Sequence, residues 1–193
     1  MKRPAHSLSK EERVIAGATD VFLRYGFART TMGDIAERVG ISRPALYLLF
    51  ANKEEAFAAV IRRLNDDQLA AIRAALPGLP TLHAKVLFAC ETWGAHGVDL
   101  MTAHPDAKDL FDLSFAPVQE IYLKFQTLLA ELLEGPAAGS ALNAKPAQLA
   151  RVVTFAMRGF RETASNGRDM RRLIALQVSM LLAALGVDDA GSA

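Results

Sequence analysis

Thr31-Met32-Gly33-Asp34-Ile35-Ala36-Glu37-Arg38-Val39-Gly40-Ile41-Ser42-Arg43-Pro44-Ala45-Leu46-Tyr47-Leu48-Leu49-Phe50 is the stretch whose reading decides the fold. Thr31 followed three residues later by Asp34 is a helix start, because each side chain can accept from a backbone amide that the first turn leaves without a partner. Ile35, Ala36 and Val39 then fall on one face of a short helix, and Gly40 stops it. Ser42 caps the next helix, and Pro44 is tolerated in a first turn, where no intrahelical acceptor exists for its missing amide. Leu46 and Phe50, four apart, form its buried edge. Two short helices joined by a tight glycine turn predict a helix-turn-helix. Small Ala36 suits the close crossing, Gly40 suits a left-handed turn, and Ile35, Val39, Ile41, Leu46 and Leu49 fix the angle.

Working outward, the same periodicity of three and four continues almost throughout. Ser9 with Glu12 has capping-box spacing and opens a helix carrying Val14, Ile15, Ala18, Val21, Phe22 and Tyr25, which Gly26 ends. Asn52 restarts the chain before Lys53, and the pattern runs through Phe57, Val60, Ile61 and Leu64 toward Leu76, where Pro77, Gly78 and Pro80 break it. Four further periodic stretches, 82–96, 117–133, 146–164 and 170–185, predict long helices, with a shorter one between 104 and 115. Residues 135–146 read as a loop, and the end from Asp188 on as frayed. The fold class expected is all-α.

Composition bounds the function. The 193 residues are 51% hydrophobic and 22% charged, enough for a real core, and no apolar run approaches the roughly 20 residues of a membrane span. The lone Cys90 permits no internal disulfide, and the basic start lacks a signal peptide's apolar stretch, so a reducing cytoplasm is expected. The net charge of +1 conceals an asymmetry: up to Asn65 there are 11 Lys and Arg against 7 Asp and Glu, and beyond it 11 against 14. A basic first third on a mildly acidic body fits one part that meets a polyanion, and fits equally a solvated charged surface.

The third helix would be the reader, since the N-terminal residues of such a helix enter the major groove. Arg43 can pair with guanine acceptors or a phosphate, Pro44 lies beside it, and Ala45 can touch a thymine methyl. Thr30, Thr31, Tyr47 and Lys53 are donors suited to phosphates. Taken singly, Tyr47 reads as a half-buried packing residue and Lys53 as a solvated lysine.

Taken together, residues 31–55, with Ala18, Phe22, Tyr25-Gly26-Phe27 and Thr30-Thr31 upstream, closely resemble the N-terminal signature of the tetracycline-repressor (TetR) family of bacterial regulators. The resemblance covers about residues 10–60 and rests on the ordered string of Gly33, Ile35-Ala36, Gly40, Ser42, Leu46-Tyr47, Phe50 and Lys53-Glu54. It implies a helix-turn-helix DNA-binding domain over 1–55 and a helical ligand-binding and dimerisation domain over 56–193. It further implies a homodimeric repressor of an inverted-repeat operator on double-stranded DNA, released when a small apolar or amphipathic effector changes the spacing of two heads. By that similarity Thr31, Arg43, Ala45, Tyr47 and Lys53 touch DNA, whereas Ile35, Leu46 and Phe50 hold the head together. The family commonly carries His or Tyr just before the Phe; Leu49 stands there, and is expected to pack. The helix beginning at Lys53 is the expected lever between the domains.

In the body, Leu82, Val86, Ala89, Trp93 and His96 fall along one stripe. His96 reads either as a polar anchor in a ligand pocket or as a hydrogen-bonded core histidine. Trp93, His96, Tyr122, Phe125 and Phe155 form the candidate effector pocket, since aromatic side chains between helices suit an apolar ligand, although each also fits a packed core. Cys90, with no basic neighbour in sequence, reads as an inert buried thiol. The last two long helices are apolar on more than one stripe, and the resemblance implies a two-fold dimer through them; Gly159 would open a close-approach surface. Sequence motifs of hydrolases, nucleotide binders and zinc enzymes are missing, and His83, His96 and His104 lack the i, i+4 spacing of metal ligands on one helix. No catalytic residue, metal or cofactor is therefore expected. A helical ligand-binding protein or enzyme without DNA binding is the alternative.

Overall fold

The computed structural model describes residues 9–138, 140 and 142–187. These form eight α-helices: α1 (Lys10–Arg29), α2 (Met32–Val39), α3 (Arg43–Tyr47), α4 (Lys53–Ala75), α5 (Leu82–Ala103), α6 (Ala116–Ala138), α7 (Pro146–Thr163) and α8 (Gly167–Ala184). Two 3-10 segments, Leu76–Gly78 and Pro105–Phe111, complete the order. The helix expected between 104 and 115 is this second 3-10 segment.

The chain divides into two compact units, one running through Leu64 and including His104–Asp112, the other comprising Asn65–Ala103 and the chain from Leu113 onward. The division expected after residue 55 falls inside α4. The first unit reaches further because Ala56, Phe57, Val60 and Ile61 are buried in its core. There Phe57 meets Phe22 edge-on at 5.0 Å and Phe27 at 4.7 Å between ring centroids.

The first unit is built on capped helices. Ser9 and Glu12 exchange both bonds of a capping box, at 2.8 and 3.1 Å. The α1 helix breaks at Gly26, whose φ of 70° and ψ of 172° lie where only glycine sits without strain. The break frees the Phe27 amide, which donates to Asp109 Oδ2 at 3.0 Å, and Arg29 pairs with Asp106. At the start of α4, Lys53 Nζ donates to the Phe27 carbonyl at 2.8 Å and lies over the Phe27 ring. Gly17 lets α1 approach α2, since an added Cβ would lie 2.5 Å from Val39 Cγ2.

In the second unit α6 packs on α7 and α5 on α8. Gly94 permits the crossing of α5: a Cβ there would meet Met157 Sδ at 3.0 Å and Ile174 Cδ1 at 3.1 Å. The later part of α4 is tied to α5 and α6 through Gln68 donating to the Thr92 carbonyl and through ion pairs Lys124–Asp66 and Arg73–Glu131. The loop expected from 135 begins later, because α6 continues through Gly135 and Pro136 to Ala138, with Ala137 buried.

Candidate nucleic-acid interface

The recognition surface is assembled from α2, its turn and α3. Thr31 caps α2 and Asp34 answers it: the Thr31 amide and hydroxyl both donate to Asp34 Oδ2 at 2.8 Å, and the Asp34 amide donates to Thr31 Oγ1 at 3.2 Å. The Thr31 hydroxyl, its amide and the nearby Arg43 charge hold the Asp34 carboxyl below the usual aspartate range. Gly40 adopts the left-handed conformation, φ 74° and ψ 36°, and donates to Glu37 O at 3.1 Å, while Ile41 N donates to Ala36 O at 3.0 Å. This Schellman closure turns the chain sharply into α3, whose Ala45 amide is capped by Ser42 Oγ at 3.3 Å.

Leu46 is completely buried and Phe50 is 6% exposed, so α3 presents its other side outward. Arg43, Pro44, Tyr47 and Leu48 are exposed on it, and Ala45 is half-buried. The Arg43 guanidinium lies over Gly33, where any Cβ would collide with it. Thr31, Met32, Gly33, Arg43 and Tyr47 line a shallow cleft of about 310 Å³ at the start of α2. A guanidinium and a phenol beside a helix N-terminus are chemically matched to a phosphate oxygen, while the Thr31 hydroxyl hydrogen is committed to Asp34.

Besides Thr31, two more of the expected donors are engaged within the protein. Thr30 is 1% exposed and its hydroxyl donates to the Gly26 carbonyl at 2.7 Å, so it closes the α1 break and is no surface donor. Lys53 has its ammonium on the Phe27 carbonyl, which makes it a brace between the ends of α1 and α4 in this state. Leu49 is half-buried, as expected for a packing residue.

Of the expected effector residues, Trp93, Tyr122 and Phe125 are buried together in the second unit, Phe155 is 40% exposed at their edge, and His96 stands apart. The Trp93 ring stacks on Phe125 at 4.3 Å with planes 5° apart and meets Tyr122 edge-on at 5.0 Å, while Tyr122 lies 5.9 Å from Phe155. His96 is exposed, contrary to its expected place on the apolar stripe. The buried stripe runs from Val86 through Ala89 and Cys90 to Trp93 and then to Gly97, which leaves His96 with Thr92 and Asp99 on the outer seam. Sequence reasoning missed two polar partners of this cluster. Asn65, 2% exposed, accepts from Trp93 Nε1 at 3.2 Å, and Arg161, 8% exposed, donates from Nη1 to the Tyr122 hydroxyl at 3.2 Å. The signal was available: Asn65 continues the spacing of Phe57, Ile61 and Ile72, and Arg161 that of Ala150, Val153, Thr154 and Met157. Cys90 is fully buried, which pushes its thiol up to about 12, with Glu91 adding to the rise.

A helix-turn-helix whose third helix exposes Arg43, in a chain whose other unit is all-helical around buried Trp93, Tyr122 and Phe125, has the make-up of a DNA-binding regulator. The sequence profile of the bacterial regulatory proteins of the tetR family matches residues 14–60. The match is confined to the N-terminal helix-turn-helix region. The chain is 36% identical over 84 residues to the helix-turn-helix transcriptional activator FasR of Mycolicibacterium smegmatis, covering 39% of this chain and 38% of FasR. It is 34% identical over 73 residues to the transcriptional regulator RutR of Escherichia coli, covering 38% and 34% respectively. The matched stretch thus spans little more than a third of these relatives. The whole fold is similar to that of the fatty acid degradation regulator FadR from Bacillus halodurans, with a TM-score of 0.69, 17% identity, and 92% and 97% of the two chains covered.

Proposed function

We propose that this protein is a ligand-responsive, homodimeric transcriptional regulator that reads an inverted-repeat DNA operator with Thr31, Arg43, Pro44, Ala45 and Tyr47, and that it acts as a cytoplasmic repressor and not as an enzyme. The observation carrying this reading is the outward face of α3, where Arg43 and Tyr47 border the cleft at Thr31 while Leu46 anchors the helix from behind. Arg43 can donate two parallel hydrogen bonds to guanine O6 and N7 or grip a phosphate. Thr31 and Tyr47 set the register on the backbone, and Lys53 adds positive charge at the edge.

Dimerisation through α7 and α8 is supported by an apolar surface that a lone chain leaves in water. Val152 is 66% exposed, Leu176 60% and Met180 65%, and Phe160, Leu173, Leu176 and Met180 line an apolar groove. Among the described residues no atom outside its own helix backbone and chain neighbours lies within 4 Å of the Cβ position of Gly159, so this glycine offers the bare surface that a two-fold partner helix needs. The effector is a small apolar or amphipathic molecule that parts the rings of Trp93, Tyr122, Phe125 and Phe155. Asn65 and Arg161 are polar groups within reach of it. Since α4 is unbroken from Lys53 to Ala75, it gives a covalent route from that cluster toward the reading head. An effector shifts the DNA-binding equilibrium only by its differential affinity for the two head spacings.

The test is the salt dependence of duplex binding. Neutralised phosphates release counterions, so the logarithm of affinity falls linearly with that of salt for the wild type. Arg43→Ala weakens binding to a specific site by about 1–3 kcal/mol with the fold intact. Salt-independent or absent duplex binding by the folded dimer refutes the reading in favour of a helical ligand-binding protein.

A further inference from the structure

Leu48 is 84% exposed, more than any other large apolar side chain among the described residues. A single exposed leucine is ordinary on a protein surface, so its position carries the weight. At 100° per residue, Leu48 points about 200° away from Leu46, which is buried. Its amide donates to the Pro44 carbonyl at 3.2 Å, so it continues the turn of α3 and shares the outward side with Pro44. Immediately afterwards the chain folds back, with Leu49 half-buried and Phe50 buried. Pro44 and Leu48 therefore make an apolar ridge that ends the reading helix, with Arg43 and Tyr47 along its polar flank.

A leucine side chain neither donates nor accepts, so it adds nothing at a phosphate or at the hydrogen-bonding edge of a base. The apolar feature that the major groove offers is the C5-methyl group of thymine. Ala45, the other small apolar residue of α3, is half-buried and has a single methyl group to offer. We propose that Leu48 is a specificity-determining residue that packs on a thymine methyl group in each operator half-site. This rests on the DNA-reading assignment above and adds a base preference at a position that Arg43 does not set.

The test uses the full-length protein and a duplex that it enriches from a random pool. Each thymine of one half-site is replaced in turn by deoxyuridine, which removes the methyl group and nothing else, and affinity is read by fluorescence anisotropy at fixed salt. For the wild type, one thymine shows about a three- to fivefold loss, the scale of one buried methyl group. In Leu48→Ala that uracil penalty disappears, while the salt slope and the melting temperature stay at wild-type values because neither a phosphate contact nor a core contact is lost. Leu48→Gln, which keeps the reach and removes the apolar end, behaves as Leu48→Ala does. A uracil penalty retained in full by both variants, or absent in the wild type at every thymine, overturns the proposal while the DNA-reading assignment stands. If no duplex is enriched by the folded wild type, the assignment itself fails and Leu48 fails with it.

Discussion

The head and the helical body are held in order by different kinds of interaction. Around the reading helix the shaping contacts join residues a few positions apart, Thr31 with Asp34, Ser42 with Ala45, and Ile41 with Ala36, although the rest of that unit also draws on distant pairs such as Phe27 with Asp109 and Lys53 with Phe27. In the body the shaping contacts join distant helices, as when Trp93 reaches Asn65 across 28 positions and Arg161 reaches Tyr122 across 39. A recognition surface set by local backbone geometry keeps its shape when its neighbours change. A core set by long-range pairs is free to diverge, which fits relatives whose matched stretch is confined to about a third of their length.

The largest effect that sharpens this contrast is expected in the body. Trp93→Ala removes the stack on Phe125 and the bond to Asn65 and costs about 3–5 kcal/mol in urea unfolding. Trp93→Phe keeps a ring and loses the indole donor, and should cost nearer ~1 kcal/mol. Equal losses in the two variants would mean that the hydrogen bond, and not the ring packing, orders the cluster.

Next comes Gly26→Ala in the head. It forces a side chain into a glycine-only backbone region, a strain of about 1–3 kcal/mol, and sets a Cβ against the Asp106 backbone carbonyl. Wild-type stability in this variant would mean that the break in α1 is not the constraint it is taken to be.

These two sites also show what the sequence made legible. The all-helical class, the caps, the Gly26 break and the left-handed Gly40 could be read because each is dictated within one turn of chain. Of the aromatic residues singled out in the body, Trp93, Tyr122 and Phe125 are buried against one another, and Phe155 lies at their edge, 40% exposed. Periodicity misplaced His96 because, three and four residues beyond Trp93, His96 and Gly97 are equally good continuations of a stripe, and only packing against neighbouring helices selects Gly97. Thr30 looked like a surface donor because nothing local announces that the α1 carbonyls beneath it need closing. Asn65 and Arg161 drew no reading, because their place on a buried stripe shows that they are buried and only the structure shows which partner each one meets.

A smaller effect is expected at the α2 cap. Thr31→Ala costs about 1 kcal/mol of head stability. Because the Asp34 carboxyl is held below its ordinary value, its contribution is present in full above the ordinary aspartate pKa and is lost as the pH falls through the lowered value of the folded state. Asp34→Asn is therefore less stable than the wild type at neutral pH, and the two unfolding curves converge in acid. A gap that persists at low pH would assign the stabilisation to something other than the charged cap.

The smallest effect is a null one. The Cys90 thiol, raised to about 12 by burial, should not react with a thiol reagent at pH 8 in the folded protein and should react at once in denaturant. Fast labelling of the native protein would mean that the body opens far more readily than its buried core suggests.

The most direct measurement is selection of bound duplexes from a random pool by the purified protein at moderate salt, followed by sequencing of what is retained. A dimeric reader of successive major-groove faces enriches one inverted repeat, with half-site centres about 34–36 Å apart or a multiple of that distance, and Arg43→Ala fails to enrich it. A folded, dimeric protein that enriches no motif would contradict the assignment of α3 as a reading helix.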